Sequence, residues 1–250
     1  MINDETRRKL RELGMNEFVE ILDVQQNDPF TVSLSFDERM QRIVDYVYQQ
    51  KYNKRISNLI RSARFRFVQA DIYSLDYRDR GFDRPLIQEL IAGGYLQNHT
   101  NIICQGYTGS GKTFLACALG KEACNHMKKV RYIRLPDLLV TYDDQKNMGV
   151  RYVEKLLKKF ARFEVLIIDE WLLEDLSEEE AHFIFELIER RYDSCSTIFC
   201  TQYRKENWLD RLGNNVHAEA ITDRIVHNAI WINMGDRNMR ESQLNSLGTR

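Results

Sequence analysis

The sequence predicts an α/β fold: a parallel sheet flanked by helices, preceded by a small helical N-terminal domain. From Asn101 onward, short apolar runs alternate with helical patterns, which is typical of a parallel sheet. The run 165–168 is apolar at every position, as expected of a strand buried on both faces. Earlier in the chain, apolar residues instead recur at helical spacing. We therefore place a helical domain at residues 1–75 and the α/β domain at residues 76–250.

The composition is that of an ordinary globular protein and excludes several classes. The 250 residues are 43% hydrophobic and carry a formal net charge of −1, so the whole chain is not a polybasic or polyacidic one. No run of about 18 apolar residues occurs, so we expect no membrane span and no membrane partner. The charged N-terminus lacks the apolar centre of a signal peptide. Five cysteines without a C-x-x-C pair favour reduced thiols and a cytoplasmic location.

The N-terminal domain is predicted to consist of helices. Residues 6–22 carry apolar residues on one helical face, and the turn at 27–29 interrupts this pattern. Ser35 and Glu38 form the S-x-x-E capping box that satisfies free N–H groups at a helix start, so a second helix begins here. Its predicted apolar stripe consists of Met40, Ile43, Val44, Val47 and Tyr48.

The α/β domain is predicted to contain at least five strands. We expect them at 101–105, 130–135, 165–168, 197–200 and 230–232. Helices are predicted at 113–125, 152–163, 177–192 and 217–228. Short strands separated by helices in this way build parallel β-α-β units.

A glycine-rich motif predicts a nucleotide site. Residues 106–113 match G-x-x-x-x-G-K-[ST] and lie between a predicted strand and a predicted helix, as this motif requires. Its glycines let backbone N–H groups turn toward phosphate oxygens, and the helix N-terminus adds partial positive charge. Lys112 supplies a charge for the β- and γ-phosphates, and Thr113 offers a hydroxyl to Mg²⁺. The expected ATP and Mg²⁺ contacts are Gly106, Tyr107, Thr108, Gly109, Ser110, Gly111, Lys112 and Thr113. The alternative, a chance glycine loop, does not account for this context.

Two acids after the run 165–168 predict hydrolysis. Asp169 would stand at the sheet edge, where it can hold Mg²⁺ together with Thr113. Glu170 can orient and deprotonate the attacking water. The alternative is a buried strand that ends in two solvated acids. Glu170 also argues against a scaffold that binds nucleotide without turnover, and no acceptor-binding element indicates a metabolic kinase.

Two further residues are candidates for the γ-phosphate. Gln202 follows the predicted strand 197–200, so its amide could hold the attacking water, or it could simply begin a loop. Arg224 lies near the end of the predicted helix 217–228. An arginine against a transferring phosphoryl group stabilises its charge, but a single helix arginine is often only solvated or salt-bridged. The residues alone leave both pairs of alternatives open.

The chain resembles the IstB-like AAA+ ATPases, helper proteins of insertion-sequence transposition that are related to bacterial helicase loaders. The residues that carry the resemblance are 59–65, 196–202, Trp208, 220–229 and 238–240. The resemblance implies a P-loop AAA+ domain in which Gln202 is the sensor beside the γ-phosphate and Arg224 is the arginine finger. It places Arg240 near the position of a second sensor arginine. Since only ten residues follow Arg240, we expect the helical lid to be missing or vestigial.

The resemblance also implies a function. Members assemble on DNA with ATP, select target DNA and deliver it to a transposase. We therefore expect double-stranded DNA and a transposase as partners, and a homo-oligomer that is a ring or a helical filament. The alternative is a helicase-loader-type ATPase of DNA replication, which would use the same site with another protein partner.

A basic segment offers a surface for that DNA. Between residues 39 and 66 one acid, Asp45, stands against eight basic residues, a net charge of +7. The basic residues are Arg39, Arg42, Lys51, Lys54, Arg55, Arg61, Arg64 and Arg66. Interleaved with them are Tyr46, Tyr48, Tyr52, Phe65 and Phe67. Such a segment predicts salt-sensitive binding to phosphates without sequence preference; the alternative is a solvated helix face with its aromatic residues in the core.

Overall fold

A computed structural model describes residues 3–75, 84–235 and 239 of the chain. It forms two compact units, Met1–Asn58 and Leu59–Arg250. Within the described residues, every helix is either too short or too polar to cross a membrane.

The first unit is helical. Its helices are α1 (Asp4–Glu12), α2 (Asn16–Asn27), α3 (Pro29–Val32) and most of α4 (Phe36–Ala63). The predicted single helix over 6–22 is wrong, because the chain breaks at Gly14, whose φ of +71° lies in the left-handed region that favours glycine. Val19, Leu22 and Ile43 are the buried apolar residues of this small core.

Helix α4 begins as predicted but exposes much of its apolar stripe. The Ser35 backbone N–H donates to the Glu38 carboxylate at 2.9 Å, and the Glu38 N–H donates to the Ser35 hydroxyl at 3.3 Å, which confirms the capping box. Ile43 is buried, whereas Val44 and Tyr48 are 54% and 67% exposed. The predicted stripe is therefore only partly a core face in the described structure.

The second unit is a five-stranded parallel sheet between two layers of helices. Its strands are β1 (Asn101–Gln105), β2 (Val130–Arg134), β3 (Val165–Trp171), β4 (Ser196–Thr201) and β5 (Ala229–Asn233). Their order across the sheet is β2-β3-β4-β1-β5. All four neighbouring pairs are parallel, so every strand ends at the same edge. This confirms the predicted fold and the existence of all five predicted strands.

Helices precede and connect the strands of the second unit. They are α5 (Arg84–Ala92), α6 (Gly94–Gln97), α7 (Lys112–Asn125), α8 (Leu135–Met148), α9 (Val150–Ala161), α10 (Glu178–Arg191), α11 (Trp208–Arg211) and α12 (Val216–His227). Helix α8 was not among the predicted helices, although Pro136 lies in its first turn, where proline is well tolerated. Ser177 and Glu180 cap α10 with a second capping box.

Alternating side chains divide the core into two layers. On β1, Ile102 and Cys104 join the layer that contains α7, whereas Ile103 joins the layer of α8 to α12. On β3, Ile167 and Ile168 divide in the same way. Since successive strand residues point to opposite faces, a strand covered on both sides must be apolar throughout.

The end of α4 and the residues after it belong to the second core, so the compact units divide earlier than residue 75. Ala63, Phe65, Ala70 and Ile72 are buried in the layer that contains α7. Their apolar side chains need a large core, which the few buried residues of the first unit do not offer. Polar residues between them make this stretch look like a linker in the sequence.

Candidate nucleotide-binding site

The glycine-rich loop joins the end of β1 to the start of α7. Gly111 precedes α7 with a φ of +90°, a conformation that a side chain would strain. At Gly106, a Cβ atom would lie 2.8 Å from the Ser110 hydroxyl oxygen and 2.9 Å from Cβ of Met234. The loop therefore needs glycine for its backbone at one position and for close packing at the other.

Lys112 lies over this loop. Its ammonium donates to the carbonyl oxygens of Gly106 and Tyr107 at 2.6 and 2.7 Å. A lysine held there by the loop's own carbonyls stands where a phosphate bound by the loop N–H groups would meet it. The position of Lys112 agrees with its expected role toward the phosphates.

Thr113 and Asp169 meet although 56 residues separate them. The Thr113 hydroxyl donates to Oδ2 of Asp169 at 2.9 Å. Asp169 ends the apolar part of β3 and is only 2% exposed. A hydroxyl and a carboxylate side by side form the hard oxygen environment that Mg²⁺ prefers, so this pair fits an ion that enters with nucleotide.

Tyr132 orients Asp169, a contact that the sequence analysis did not find. Its hydroxyl donates to Oδ2 of Asp169 at 2.7 Å from β2, the neighbouring strand. Burial raises the pKa of the Tyr132 hydroxyl far above its ordinary value, and the charge of Asp169 raises it further. Tyr132 therefore remains a hydrogen-bond donor at every working pH. The pairing of β2 with β3 would have been needed to anticipate this contact.

Glu170 is turned out of the strand by a bulge. The register between β3 and β4 shifts between Ile168 and Trp171, and Glu170 has a φ of +56°. Bulges re-aim side chains, and strained backbone of this kind clusters at functional sites. The Glu170 side chain is 22% exposed, so water can reach its carboxylate.

Two arginines bind the Glu170 carboxylate. Arg134, at the end of β2, donates to Oε2 through Nε at 2.9 Å and Nη2 at 2.7 Å. Arg66 donates to Oε1 through Nη1 at 3.4 Å. The same Nη1 atom of Arg66 lies 4.0 Å from Oδ2 of Asp169. Arg66, which the charge count assigns to DNA, thus lies at the acidic pair instead. The local charge bias could not distinguish the two locations.

Gln202 lies beside the glycine-rich loop. It follows β4, and its Oε1 accepts a hydrogen bond of 2.9 Å from the Thr108 hydroxyl. β4 lies between β1 and β3 in the sheet. The Gln202 amide therefore stands between the loop and the acidic pair, as a residue that contacts the γ-phosphate or its attacking water would.

Arg224 lies at the opposite edge of the sheet. It occupies the last turn of α12. The carbonyl oxygen of Asn228, which follows this helix, accepts a hydrogen bond of 2.8 Å from the backbone N–H of Asn101. Asn101 is the first residue of β1, so this end of α12 lies where the strands begin. Arg224 pairs with Glu189, and its guanidinium lies 5.1 Å from the ring centroid of Phe185. It therefore has no access to the nucleotide loop of its own chain.

The other basic residues of the segment 39–66 lie mostly at the surface. Arg39 is half-buried, and its guanidinium donates a hydrogen bond of 3.4 Å to the side-chain oxygen of Gln25. The guanidinium carbon of Arg42 lies 5.5 Å from the centroid of the Phe30 ring. The exposed members are Arg42, Lys51, Lys54, Arg55, Arg61 and Arg64. Of the aromatic residues, Phe65 is buried in the second core, so it does not serve a nucleic-acid surface.

Two further expectations bear on ligands. Among the described residues, no group of three or more His, Cys, Asp or Glu side chains could hold a metal ion by itself. Arg240, the candidate second sensor, lies outside the described residues, as does most of the segment on which the helical lid would depend.

Comparison with known proteins identifies the family of the chain. Residues 8–246 match the model of the family described as IstB-like ATP binding protein. A putative insertion sequence ATP-binding protein, y4pL of Sinorhizobium fredii, is 33% identical over 244 residues, which cover 97% of this chain and 98% of the relative. The insertion sequence IS1162 putative ATP-binding protein of Pseudomonas fluorescens is 34% identical over 203 residues, covering 81% of this chain and 87% of that one.

A solved structure supports the fold. The crystal structure of the DnaC helicase loader superimposes with a TM-score of 0.57 at 19% identity and covers 68% of this chain and 99% of that one. At this identity the likeness concerns the fold alone. Together with the family match, the contact of Thr113 with Asp169 and the adjoining Glu170 identify the chain as a member of the IstB-like ATP-binding protein family, an ATPase with the AAA+ fold.

Proposed function

We propose that this chain is the cytoplasmic ATP-dependent helper of an insertion sequence, which assembles on double-stranded DNA, selects target DNA and delivers it to a transposase. The observation that carries the proposal is the acidic pair beside the glycine-rich loop in a chain whose relatives are insertion-sequence ATP-binding proteins. A hydrolytic site gives such a helper a way to end each assembly after the DNA has been delivered.

The residues at the edge of the sheet where the strands end would each have a separate role in ATP hydrolysis. Lys112 would bind the β- and γ-phosphates. Thr113 and Asp169 would hold Mg²⁺, which neutralises phosphate charge when bound. Glu170 would take the proton of the attacking water, and Gln202 would orient that water.

Arg224 would complete the site of a neighbouring subunit. Because Arg224 and Lys112 lie at opposite edges of one sheet, the Arg224 guanidinium would reach a nucleotide only through a head-to-tail contact between two copies. Such a contact generates a ring or a helical filament, depending on whether its rotation closes. The present partner of Arg224, Glu189, is half-exposed, so its ion pair is a weak one that assembly can exchange.

The basic segment would supply the DNA surface. Lys51, Lys54 and Arg55 are exposed on α4, and none of them makes an ion pair with another described residue. Tyr48 is exposed beside them and stacks on Tyr52, with ring centroids 6.1 Å apart. Unpaired cations next to exposed aromatic rings suit a phosphate backbone.

A helicase-loader-type ATPase of DNA replication is the second candidate. The likeness to the DnaC helicase loader favours it, but that likeness rests on 19% identity. The relatives named for insertion sequences reach 33% and 34% identity, which favours the transposition helper.

Mixing two inactive variants tests the shared site. Lys112→Ala should lose nucleotide affinity, while Arg224→Ala should bind ATP almost normally and lose about 10³-fold in hydrolysis rate. In a mixture, some interfaces join an intact Lys112 to an intact Arg224. The ATPase rate at saturating DNA should therefore exceed the sum of the two variants and peak at an intermediate ratio.

Arg190→Ala is the matched control, because Arg190 is also an arginine near the amino edge but is held by Glu154 through two hydrogen bonds of 2.8 and 3.0 Å. It should hydrolyse ATP like the parent. If no mixture exceeds the sum of its components, the head-to-tail site is rejected.

A further inference from the structure

The turn that carries Gln202 is held by its two neighbours in the chain. Thr201, the last residue of β4, is 1% exposed, and its hydroxyl donates to the Trp171 carbonyl at the end of β3 at 3.2 Å. The same hydroxyl accepts the backbone N–H of Tyr203 at 3.1 Å. Gln202 itself is exposed, and its amide oxygen accepts a hydrogen bond of 2.9 Å from the Thr108 hydroxyl. The direction of its amide therefore depends on how firmly Thr201 and Tyr203 are held.

Arg211 holds Tyr203 from α11. Its guanidinium carbon lies 3.8 Å from the centroid of the Tyr203 ring, and its Nη2 donates to the Tyr203 hydroxyl at 2.7 Å. Its Nη1 binds the loop that follows β3, donating to the Leu173 carbonyl at 3.3 Å and to Oδ1 of Asp175 at 2.7 Å. The Arg211 carbonyl also accepts the backbone N–H of Leu176 at 2.8 Å. One arginine thus joins the loops that leave β3 and β4.

The contacts of Arg211 are more than a surface ion pair. The Asp175 side chain is 77% exposed, so its pairing with Arg211 alone would contribute little. The Arg211 side chain is only 22% exposed, because the Tyr203 ring covers one side of its guanidinium. A planar guanidinium can stack on an aromatic ring and donate from both its arms at once, which lysine cannot do. Arg211 therefore restricts the Tyr203 side chain and, through it, the backbone of the turn.

We propose that Arg211 is a positioning residue that fixes the direction of the Gln202 amide and thereby sets the rate of ATP hydrolysis. The inference rests on the proposed role of Gln202 in orienting the attacking water. A water reacts only when it is held close to in line with the γ-phosphate, and a displacement of about 1 Å can lower such a rate by roughly 10²-fold. ADP has no γ-phosphate to attack, so its binding does not depend on the direction of the Gln202 amide.

Single-turnover hydrolysis of ATP by Gln202→Ala, Arg211→Ala and the double variant tests the proposal, with equilibrium binding of ADP measured beside it. Gln202→Ala should lower the rate by roughly 10²-fold, and Arg211→Ala by about tenfold, because Thr201 still holds the other end of the turn. The double variant should be no slower than Gln202→Ala, since the effects of residues that act through one another do not add. ADP should bind all three variants with the parent's affinity.

Tyr203→Phe guards against a local folding defect in Arg211→Ala, because it keeps the ring beside the guanidinium and removes only the hydroxyl. It should slow hydrolysis about threefold, the effect of a typical single hydrogen bond, and it should add nothing to Gln202→Ala. Arg204→Ala is the matched control, because Arg204 is an exposed arginine just after this turn. It should hydrolyse ATP like the parent.

The double variant decides between a positioning role and an independent one. If it loses the product of the two single losses, or if Arg211→Ala is as fast as the parent, Arg211 does not act through Gln202 and the inference is overturned. An equal loss in Arg204→Ala would assign the effect to any arginine charge at this edge, which overturns it as well. If Gln202→Ala itself hydrolyses ATP like the parent, the proposed role of Gln202 fails, and the inference about Arg211 fails with it.

Discussion

Tyr132→Phe isolates the contribution of one hydrogen bond to the metal site. Asp169 accepts three hydrogen bonds, from Tyr132 at 2.7 Å, Thr113 at 2.9 Å and the Glu170 backbone N–H at 2.9 Å. Removing the shortest takes away a bond to a charged group, which contributes about 1.5–3 kcal/mol. The two remaining bonds keep the carboxylate near its place, so we use the lower end. A loss of about 1.4 kcal/mol corresponds to a tenfold change in affinity.

We therefore expect the Mg²⁺ concentration for half-maximal ATP hydrolysis to rise about tenfold, which matches the effect of outer-shell partners on metal sites. The assay is a Mg²⁺ titration of the rate at saturating ATP, beside binding of a fluorescent ATP analogue without Mg²⁺, which should be unchanged. Tyr142→Phe is the control, since Tyr142 stacks on Phe183 away from the site. An unchanged Mg²⁺ dependence would show that Tyr132 does not orient Asp169 for the metal.

Two further predictions concern the base and the DNA surface. Glu170→Gln keeps the size of the side chain but cannot take a proton, so ATP should bind while hydrolysis falls by roughly 10²-fold or more in a single-turnover assay. Near-normal turnover would place the base elsewhere. Replacing Lys54, Arg55, Arg61 and Arg64 by Glu should abolish DNA binding in a filter assay without unfolding the chain. The parent's affinity should fall with salt at a log–log slope near −0.9 per phosphate contact, and a flat dependence would contradict phosphate tracking.

The sequence predicted those parts of the site that are contiguous in the chain. The nucleotide loop and the acidic pair each follow a strand directly, so motif spacing was enough to place Lys112 and Asp169 at one edge. Parallel pairing then brought Thr113 to Asp169, as the two motifs predict when taken together. Gln202 reached the same edge for the same reason, because it follows β4.

The partners of the acidic pair could not be predicted, because each depends on strand order or on a distant contact. Tyr132 and Arg134 approach only because β2 pairs with β3. Arg66 lies 104 residues before Glu170, and its charge alone was consistent with a DNA surface. The need for glycine at position 120 could not be predicted either, because it comes from the packing of the Phe65 ring against this helical position.

The opposite placement of Lys112 and Arg224 gives every subunit two unlike ends. Under the proposed function, an open filament always ends in one subunit whose nucleotide lacks a neighbour's arginine, whatever its length. A closed ring has no such subunit. The specific activity of a filament should therefore climb with its length toward a ceiling, whereas that of a ring is fixed at assembly. The two ends of a filament would also differ, because one end exposes an unused Arg224 and the other exposes a nucleotide site that lacks a neighbour's Arg224. Subunits would therefore add to the two ends through different contacts.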